Sequence, residues 1–332
     1  MKLSDDTHHP DARVPPPTQL FTDVDEKTYR SDAWGNEPGA LPLNRIAQLI
    51  ELAAAKGARF VLVDFAIDGP GDERQTEFIA RMEVILKKNP GSHLLFVRTM
   101  RQPLELYSVK SIRPSTLDAL IEKHPDQVHA VAPNFLRSSD HVLRHWRLWE
   151  SACRPLPTGQ GLPGEGRWVI VPSPQLVIAA VAKGLALPSA ANNLTCAVDG
   201  AESEVLETAE SGRMADWFAG RWVWENFGTC YQQDSFKAKN CRDATPPDRK
   251  KTTQEMEGEE LANRILFLRS DWVRKNAEGA SKGTTPNDPH FSRLAAINLL
   301  QDSPSGPVAA AFEKMRTAAQ NKALTVAVIG AS

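Results

Sequence analysis

Residues 57–71 read GARFVLVDFAIDGPG, and this stretch decides the predicted fold. Gly57 can end a preceding helix, because glycine readily adopts the left-handed conformation found after helix C-termini. The run Phe60–Val63 is continuously apolar, as in a strand that is covered on both faces. Asp64 follows at the carboxyl end of that strand. A helix, a buried strand and a polar strand end in this order are typical of an α/β protein with a parallel sheet.

The chain on both sides of this stretch continues the alternation of helices and strands. Apolar residues at helical spacing predict helices at 43–55, 73–87, 115–123, 175–187, 291–300 and 308–319. Short β-prone or continuously apolar runs predict strands at 20–24, 60–63, 93–97, 128–131, 142–149, 168–171, 265–268 and 324–329. We therefore predict an α/β fold with a mainly parallel sheet and helices on both faces.

The domain organisation follows from where this alternation fails. Residues 1–18 are polar and rich in proline, and we predict that they are disordered. Residues 19–332 are predicted to form a single domain. Its C-terminal half contains a large irregular insertion at approximately residues 200–258, which ends in the hydrophilic run Tyr231 to Glu257.

Charge and hydropathy exclude some classes of function. The 39 basic and 41 acidic side chains leave a net charge of -2, so no global field attracts nucleic acid. Apolar runs are shorter than the ~18 residues of a membrane helix. The N-terminal residues lack the apolar core of a secretory signal. We predict neither nucleic-acid binding nor a membrane span in this chain.

Carboxylates follow two of the predicted strands. Asp23 and Asp25 end the first strand, and Asp64 ends the strand at 60–63. Ligands of open α/β sheets gather at the carboxyl ends of strands. If these strands are neighbours, the three carboxylates could converge on a divalent cation or an amine. The alternative, which we favour, is that these acids cap the helices that follow.

Other polar and aromatic motifs favour structural interpretations. His141 and His145 are four residues apart, but on a predicted strand their rings are too distant to share one ion, so no metal site is predicted. The terminal strand runs into Gly330, which resembles the start of a nucleotide-binding turn without its glycine pattern. Core or interface positions are favoured for the tryptophans Trp146, Trp149, Trp168, Trp217, Trp222 and Trp224. No motif pairs a nucleophile with a base, so we predict no catalytic residues and no cofactor.

Four cysteines leave the redox state open. Their spacing matches no common zinc motif, and in a reducing compartment they would be buried thiols. In an oxidising compartment, a Cys230–Cys241 disulfide would close the polar loop between them, and Cys153 and Cys196 would be the remaining pair. The sequence alone allows three connectivities.

Several segments, in order, resemble the CHASE2 sensor domain of bacterial transmembrane receptors. The resemblance spans nearly the whole chain. Each motif is degenerate, and their order makes the case. The segments are FTDVDEKTY at 21–29, Trp34-Gly35, LPLNRIAQLI at 41–50, GARFVLVDFAIDGPG at 57–71, DHVLRHWRL at 140–148, residues 264–268, residues 291–300 and LTVAVIGAS at 324–332.

The resemblance implies an extracytoplasmic, non-enzymatic sensor domain on the periplasmic side of a bacterial inner membrane. Its partners would be a small-molecule or protein signal, together with membrane helices and a cytoplasmic output domain outside this chain. The chain departs from the family in lacking an N-terminal anchor, in ending before a membrane helix and in its polar insertion. We therefore expect an excised sensor domain, with a homodimer left open.

The resemblance identifies no ligand-binding residues. From the predicted strand ends and polar strands we select Asp23, Asp25, Asp64, Arg98 and Arg144 as ligand-binding candidates. Two other functions stay open: a structural or protein-interaction ectodomain that uses the tryptophan-rich segment, and a Rossmann-like enzyme that uses the acidic cluster.

Overall fold

The computed structural model describes residues 17–35, 41–67, 71–101, 110–132, 135–137, 143–156, 165–188, 194–197, 202–227, 264–266, 291–300 and 306–330. The chain divides into two compact units. The first comprises residues 1–64, 77–94 and 276–332, and the second comprises residues 65–76 and 95–275.

The described residues form strands and helices throughout both units. The strands are β1 (Thr18–Asp23), β2 (Phe60–Val63), β3 (His93–Val97), β4 (Met100–Arg101), β5 (Ser111–Ile112), β6 (Val128–Val131), β7 (Phe135–Arg137), β8 (Leu143–Arg147), β9 (Trp149–Pro155), β10 (Glu165–Pro172), β11 (Thr195–Ala197), β12 (Arg264–Leu266), β13 (Phe291–Ala295) and β14 (Thr325–Gly330). The helices are α1 (Glu26–Tyr29), α2 (Leu43–Ala55), α3 (Glu73–Lys88), α4 (Leu117–Lys123), α5 (Pro174–Ala182), α6 (Glu202–Phe227), α7 (Ala296–Leu300) and α8 (Gly306–Gln320).

The first unit is built on a mainly parallel sheet. Its strand order is β13, β1, β14, β2 and then the start of β3. Strand β1 pairs in parallel with both β13 and β14, and β14 pairs in parallel with β2. Helix α2 packs against β14 and β2, and α8 packs against β1, β13 and β14. The predicted α/β class with a mainly parallel sheet is therefore confirmed.

Burial along the central strands shows that both faces of this sheet are covered. Val326 and Ala327 are consecutive residues of β14 and both are buried, as are Phe60 and Val61 of β2. Because consecutive strand residues point to opposite faces, such a run requires cover on each side. The continuous apolar run that decided the predicted fold reflects this two-sided burial.

Several predicted elements are confirmed. Helix α2 and strands β2, β3 and β6 have the predicted bounds. Gly57 follows the C-terminus of α2 with a φ of 94°, a left-handed conformation that disfavours other residues. The N–H of Ala58 then donates to the carbonyl of Ala53 over 3.0 Å and closes the helix end.

The second unit contains two further sheets. One is mixed, with strand order β11, β10, β9, β5, β4. Its β11–β10, β10–β9 and β4–β5 pairings are antiparallel, and its β5–β9 pairing is parallel. The other is the antiparallel sheet β12, β8, β7. The remainder of β3 pairs with β6.

Helix α6 covers one face of the mixed sheet. Leu148 and Trp149 pack with Leu176 of α5 and with Ala219 and Val223 of α6. The other face has its own cluster, in which Ala152 and Val171 are joined by residues of β5 and the end of β6: Ile112 and Ala132.

Residues 202–227 differ from the prediction of an irregular insertion, since they form the 26-residue helix α6. The buried residues Ala215, Ala219 and Val223 recur every four positions, which is the helical period. These buried residues are small or β-branched and lie in a segment that is otherwise polar, so their helical spacing is hard to detect from the hydropathy of the sequence. The rest of the predicted insertion, 228–258, lies outside the described residues.

Two further predicted elements are wrong in type or extent. The predicted helix at 291–300 is strand β13 followed by the short helix α7. Strand β13 pairs with β1 over five positions, and this pairing outweighs the local helical spacing. The predicted strand at 142–149 is broken at Leu148 into β8 and β9, which belong to different sheets. The carbonyl of Leu148 accepts from the N–H of Ser173 there, over 2.7 Å.

Candidate functional site at the carboxyl edge of the parallel sheet

Asp23 and Asp64 lie on either side of Gly330 at the carboxyl edge of the parallel sheet. Asp23 of β1 is the register partner of Gly330 in β14. On the other side, Val63 is the partner of Ile329, so Asp64 comes opposite Gly330. The N–H of Asp64 donates to the carbonyl of Ile329 over 2.8 Å. Residues in register across parallel strands point to the same face, so the two carboxylates share one face.

The condition set for convergence, that β1 and β2 are neighbours, is not met, because β14 lies between them. Two strand spacings of ~4.8 Å separate the Cα atoms of Asp23 and Asp64 by roughly 9.6 Å. The chain inserts its terminal strand between the two predicted strands, which no local pattern indicates.

Gly330 keeps the space between the two acids open. A Cβ atom at this position would lie 3.2 Å from Cβ of Asp64 and 3.6 Å from its Oδ2 atom. The carboxylate of Asp64 thus leans toward the position that a side chain at 330 would occupy. The result is a notch with Gly330 as its floor, the Asp64 carboxylate on one side and Asp23, in register on β1, on the other.

The two acids of this notch have different surroundings. Asp23 is buried. Asp64 is exposed to solvent, although neighbouring protein atoms remove part of its hydration. This partial desolvation raises the pKa of the Asp64 carboxyl above its ordinary value, because the charged form loses hydration.

Asp25 has the capping role favoured from the sequence. Its Oδ1 atom accepts hydrogen bonds from the N–H of Thr28 over 2.8 Å and from its hydroxyl over 2.6 Å, at the start of α1. Asp72 caps α3 in the same way, accepting from the N–H of Gln75 over 2.8 Å. This hydrogen bond and the Arg74 side chain hold the pKa of Asp72 below its ordinary value.

Arg98 is engaged in an internal network of the second unit. Its side chain is 1% exposed, and Nη1 donates to Oδ1 of Asp118 over 2.8 Å. Nη2 donates to the carbonyl of Arg113 over 2.6 Å. The other Asp118 oxygen accepts from the N–H of Ser115, just ahead of α4. These partners tie the end of β3 to the start of α4, so the structure gives Arg98 a positioning role.

The remaining sequence candidates are placed in part. Arg144 and His145 lie in β8, which belongs to the second unit, while Asp140 and His141 lie outside the described residues. Trp149 and Trp168 are buried, which confirms the core interpretation for these two. Trp217 and Trp222 are half-buried on α6.

Cys153 and Cys196 form a disulfide bond, with Cα atoms 5.9 Å apart. This is the pair left over in the sequence analysis once Cys230 is paired with Cys241. Both latter cysteines lie outside the described residues.

Three residues that the sequence analysis missed have clear roles in the structure: Asp118, Gly166 and Asp216. Asp118 neutralises the buried Arg98, and Asp216 accepts hydrogen bonds from Trp149 and Ser151. Gly166 lies against the disulfide. Asp118 in the first turn of a predicted helix was a usable signal, because acids are favoured there. For Asp216 and Gly166 the partners are distant in sequence, and no local signal exists.

Among the described residues, no group of three His, Cys, Asp or Glu side chains is arranged to hold a metal ion. None of the helices in the described parts of the chain has the length and apolar character needed to cross a bilayer. Comparison with protein-family models, with curated proteins and with solved structures finds no significant match to this chain. The CHASE2 resemblance therefore stays a prediction that rests on the order of its sequence motifs.

Proposed function

We propose that this chain is an extracytoplasmic sensor domain of a bacterial transmembrane signalling receptor, of the CHASE2 type and without catalysis of its own. The observation that carries the proposal is the Cys153–Cys196 disulfide. Disulfides persist in oxidising compartments such as the bacterial periplasm and are rare in the cytosol. The α/β fold and the order of the sequence motifs support the same assignment.

The notch at Gly330 is the proposed ligand site. Asp23 and Asp64 bring two carboxylates to one face of the sheet at the carboxyl ends of its strands. Open α/β sheets bind ligands at this edge. The raised pKa of Asp64 means that a cation in the notch would recover part of the free energy that burial of the charged carboxylate costs. A divalent cation or an organic amine is therefore the proposed class of ligand.

Binding would act on the strand that separates the two acids. Gly330 is the last residue of β14, and the N–H of Val24 donates to its carbonyl over 2.8 Å. A ligand held by both Asp23 and Asp64 would link β1 to β2 and would favour one packing of these strands against β14 over another. In a receptor of this type, such a two-state packing change is what membrane helices would relay.

The compartment is tested by a free-thiol count on unfolded, unreduced protein after oxidative expression. The Cys153–Cys196 disulfide leaves at most two free thiols, and none if Cys230 and Cys241 are also paired, so a count of two or none is the expected result. Four free thiols would contradict the extracytoplasmic assignment and would return the cytosolic functions to consideration.

The ligand site is tested by thermal unfolding with calcium chloride, magnesium chloride and a polyamine as separate probes. A ligand that binds only the folded state stabilises it by about 2.7 kcal/mol when its concentration is 100 times its Kd, and this stabilisation raises Tm. We expect a rise for at least one probe in the wild type and a smaller rise in Asp64→Asn and Gly330→Ala. The matched control is Asp126→Asn, an exposed acid of the second unit. Equal shifts in all variants, or no shift for any probe, would contradict the site.

The alternative functions each have one supporting observation. The raised pKa of Asp64 would suit proton transfer in an enzyme. The guanidinium of Arg221 lies 5.4 Å from the ring centroid of half-buried Trp217, and Trp and Arg are the residue types enriched at interface hot spots, which would suit an interaction ectodomain. A concentration-dependent change in mass that Trp217→Ala abolishes would favour the second alternative.

A further inference from the structure

One face of the mixed sheet carries the disulfide and receives α6. Trp149, Ser151 and Cys153 alternate along β9, so their side chains share a face. On β10, Trp168 is the register partner of Cys153. Gly166, two positions earlier, is the partner of Cys196 in β11 and lies on the same face. The disulfide therefore joins the two strands that flank β10.

The sheet curls sharply at Gly166 to permit this bond. In a flat sheet, strands on either side of a central strand lie roughly 9.6 Å apart, twice the usual spacing. The Cα atoms of Cys153 and Cys196 are 5.9 Å apart. A Cβ atom at Gly166 would lie 2.6 Å from Sγ of Cys153, so a side chain there would occupy the path of the disulfide.

The disulfide forms part of the surface on which α6 docks. Cys153, Cys196, Trp168 and Ala215 of α6 make one buried cluster, named here the disulfide cluster. Gly212 of α6 also lies against Trp168, since a Cβ atom there would be 2.7 Å from the indole ring. The helix backbone thus approaches the sheet closely at Trp168, a member of the disulfide cluster.

A second anchor holds the later part of α6 separately. Asp216 accepts hydrogen bonds from Nε1 of Trp149 over 2.9 Å and from the hydroxyl of Ser151. Ala219 and Val223 continue this contact in the cluster around Leu148 and Trp149. This anchor contains no cysteine.

We infer that the Cys153–Cys196 disulfide is a redox-dependent clamp that holds β11 and the first part of α6 on the mixed sheet. Strand β11 has three residues, and it pairs with β10 over only three positions. So short a pairing adds little by itself, because isolated short strands are marginal. Two thiols need more room than a bonded pair, and the disulfide cluster is buried with no spare space at Gly166 or Gly212.

The reaction that opens the clamp is thiol–disulfide exchange with a dithiol. A thiolate of the dithiol attacks one sulfur, a mixed disulfide forms, and the second thiol closes the dithiol into its own cyclic disulfide. The Cys153–Cys196 bond is broken, each cysteine sulfur gains a proton, and the dithiol is oxidised. The burial of both cysteines means that local opening must precede the attack.

The test is backbone hydrogen exchange on the whole chain in three states. These are the oxidised wild type, the wild type treated with a dithiol, and the variant Cys153→Ala/Cys196→Ala. Alanine is used in place of serine because serine would bury unpaired hydroxyl groups. We expect residues 195–197 and 202–214 to exchange about tenfold faster in the two unclamped states. Residues 216–227, strand β9 and strand β14 should keep their protection.

Three outcomes would overturn the clamp. The first is unchanged exchange at 195–197 and 202–214. The second is loss of protection throughout the second unit, because the bond would then support the whole unit. The third is a further effect of dithiol on the double variant at the same residues, which would assign the effect to Cys230 and Cys241. The test uses no ligand, so it can succeed or fail independently of the proposed sensor function.

Discussion

Nε1 of Trp149 donates a hydrogen bond to Oδ1 of Asp216 over 2.9 Å and thereby joins β9 to α6 across 67 positions of sequence. Trp149 is 1% exposed. The same Asp216 oxygen accepts from the hydroxyl of Ser151. One carboxylate therefore satisfies two donors beneath a helix that the sequence presented as part of an irregular insertion.

Asp216→Ala should destabilise the second unit by about 2 kcal/mol, because it leaves the buried Trp149 indole and the Ser151 hydroxyl without this acceptor. Urea unfolding followed by tryptophan fluorescence measures the change. Glu225→Ala is the matched control on the same helix, since Glu225 is exposed and pairs with exposed Arg221. A control as destabilising as Asp216→Ala would show that helix propensity, not the buried hydrogen bonds, sets the effect.

Gly166→Ala should cost about 3 kcal/mol, because the new methyl group would meet Sγ of Cys153 at 2.6 Å and the carbonyl oxygen of Arg154 at 2.7 Å. Thermal unfolding of the oxidised protein checks this. Gly91→Ala is the control: no atom lies within 4 Å of its Cβ position, so a change within ~0.5 kcal/mol is expected.

The same substitution in a Cys153→Ala background should cost less, since one of the two close contacts is then gone. If the stability losses of Gly166→Ala and Cys153→Ala simply added in the double variant, the inference that the disulfide passes over Gly166 would be contradicted.

Arg98→Met should cost about 2–3 kcal/mol, because the Arg113 carbonyl loses a donor and partly buried Asp118 keeps only the more distant Arg154, at 3.7 Å, as a cationic partner. Chemical denaturation measures the loss. The control Arg74→Met removes an exposed pair with Asp72 and should cost under about 1 kcal/mol. If Arg98 instead bound a ligand, its replacement would leave the stability of the ligand-free protein nearly unchanged.

Asp64 should make stability fall as pH rises just above the ordinary carboxyl range. Partial desolvation raises the folded-state pKa of Asp64 above its ordinary value of 3.8, so the folded state holds the proton more tightly than the unfolded state. The contribution of Asp64 to stability is therefore greatest below pH 3.8, declines as pH rises to the raised pKa, and is level above it.

The contribution of Asp64 is isolated by comparing the wild type with Asp64→Asn at pH 3 and pH 7. We expect the variant to gain stability relative to the wild type at pH 7 but not at pH 3. Glu51 gives the opposite sign as an internal control, because its hydrogen bond to Arg81 lowers its pKa and its contribution is lost on acidification. A wild-type advantage from Asp64 at pH 7 would refute the assigned direction.

The candidate site illustrates how far local patterns reach. Asp23 and Asp64 were chosen because each follows a predicted strand, and both do lie at the carboxyl edge of the sheet. Asp25 followed the alternative interpretation and caps a helix. Arg98 was chosen as a polar strand end, but its partners Asp118 and Arg113 come from a loop and helix that no local pattern connects to it.

The sequence by itself determined those helices and strands whose apolar residues recur at a regular spacing within a few positions of one another. The helix at 43–55 and the strands at 60–63, 93–97 and 128–131 have the bounds that their apolar patterns predict, because helical and strand periods are local properties. Only the tertiary structure decided that β14 enters between β1 and β2, that residues 291–295 pair as a strand, and that Cys153 meets Cys196 around Gly166. Each of these depends on segments far apart in the chain, where the free energy of pairing and packing outweighs local preference.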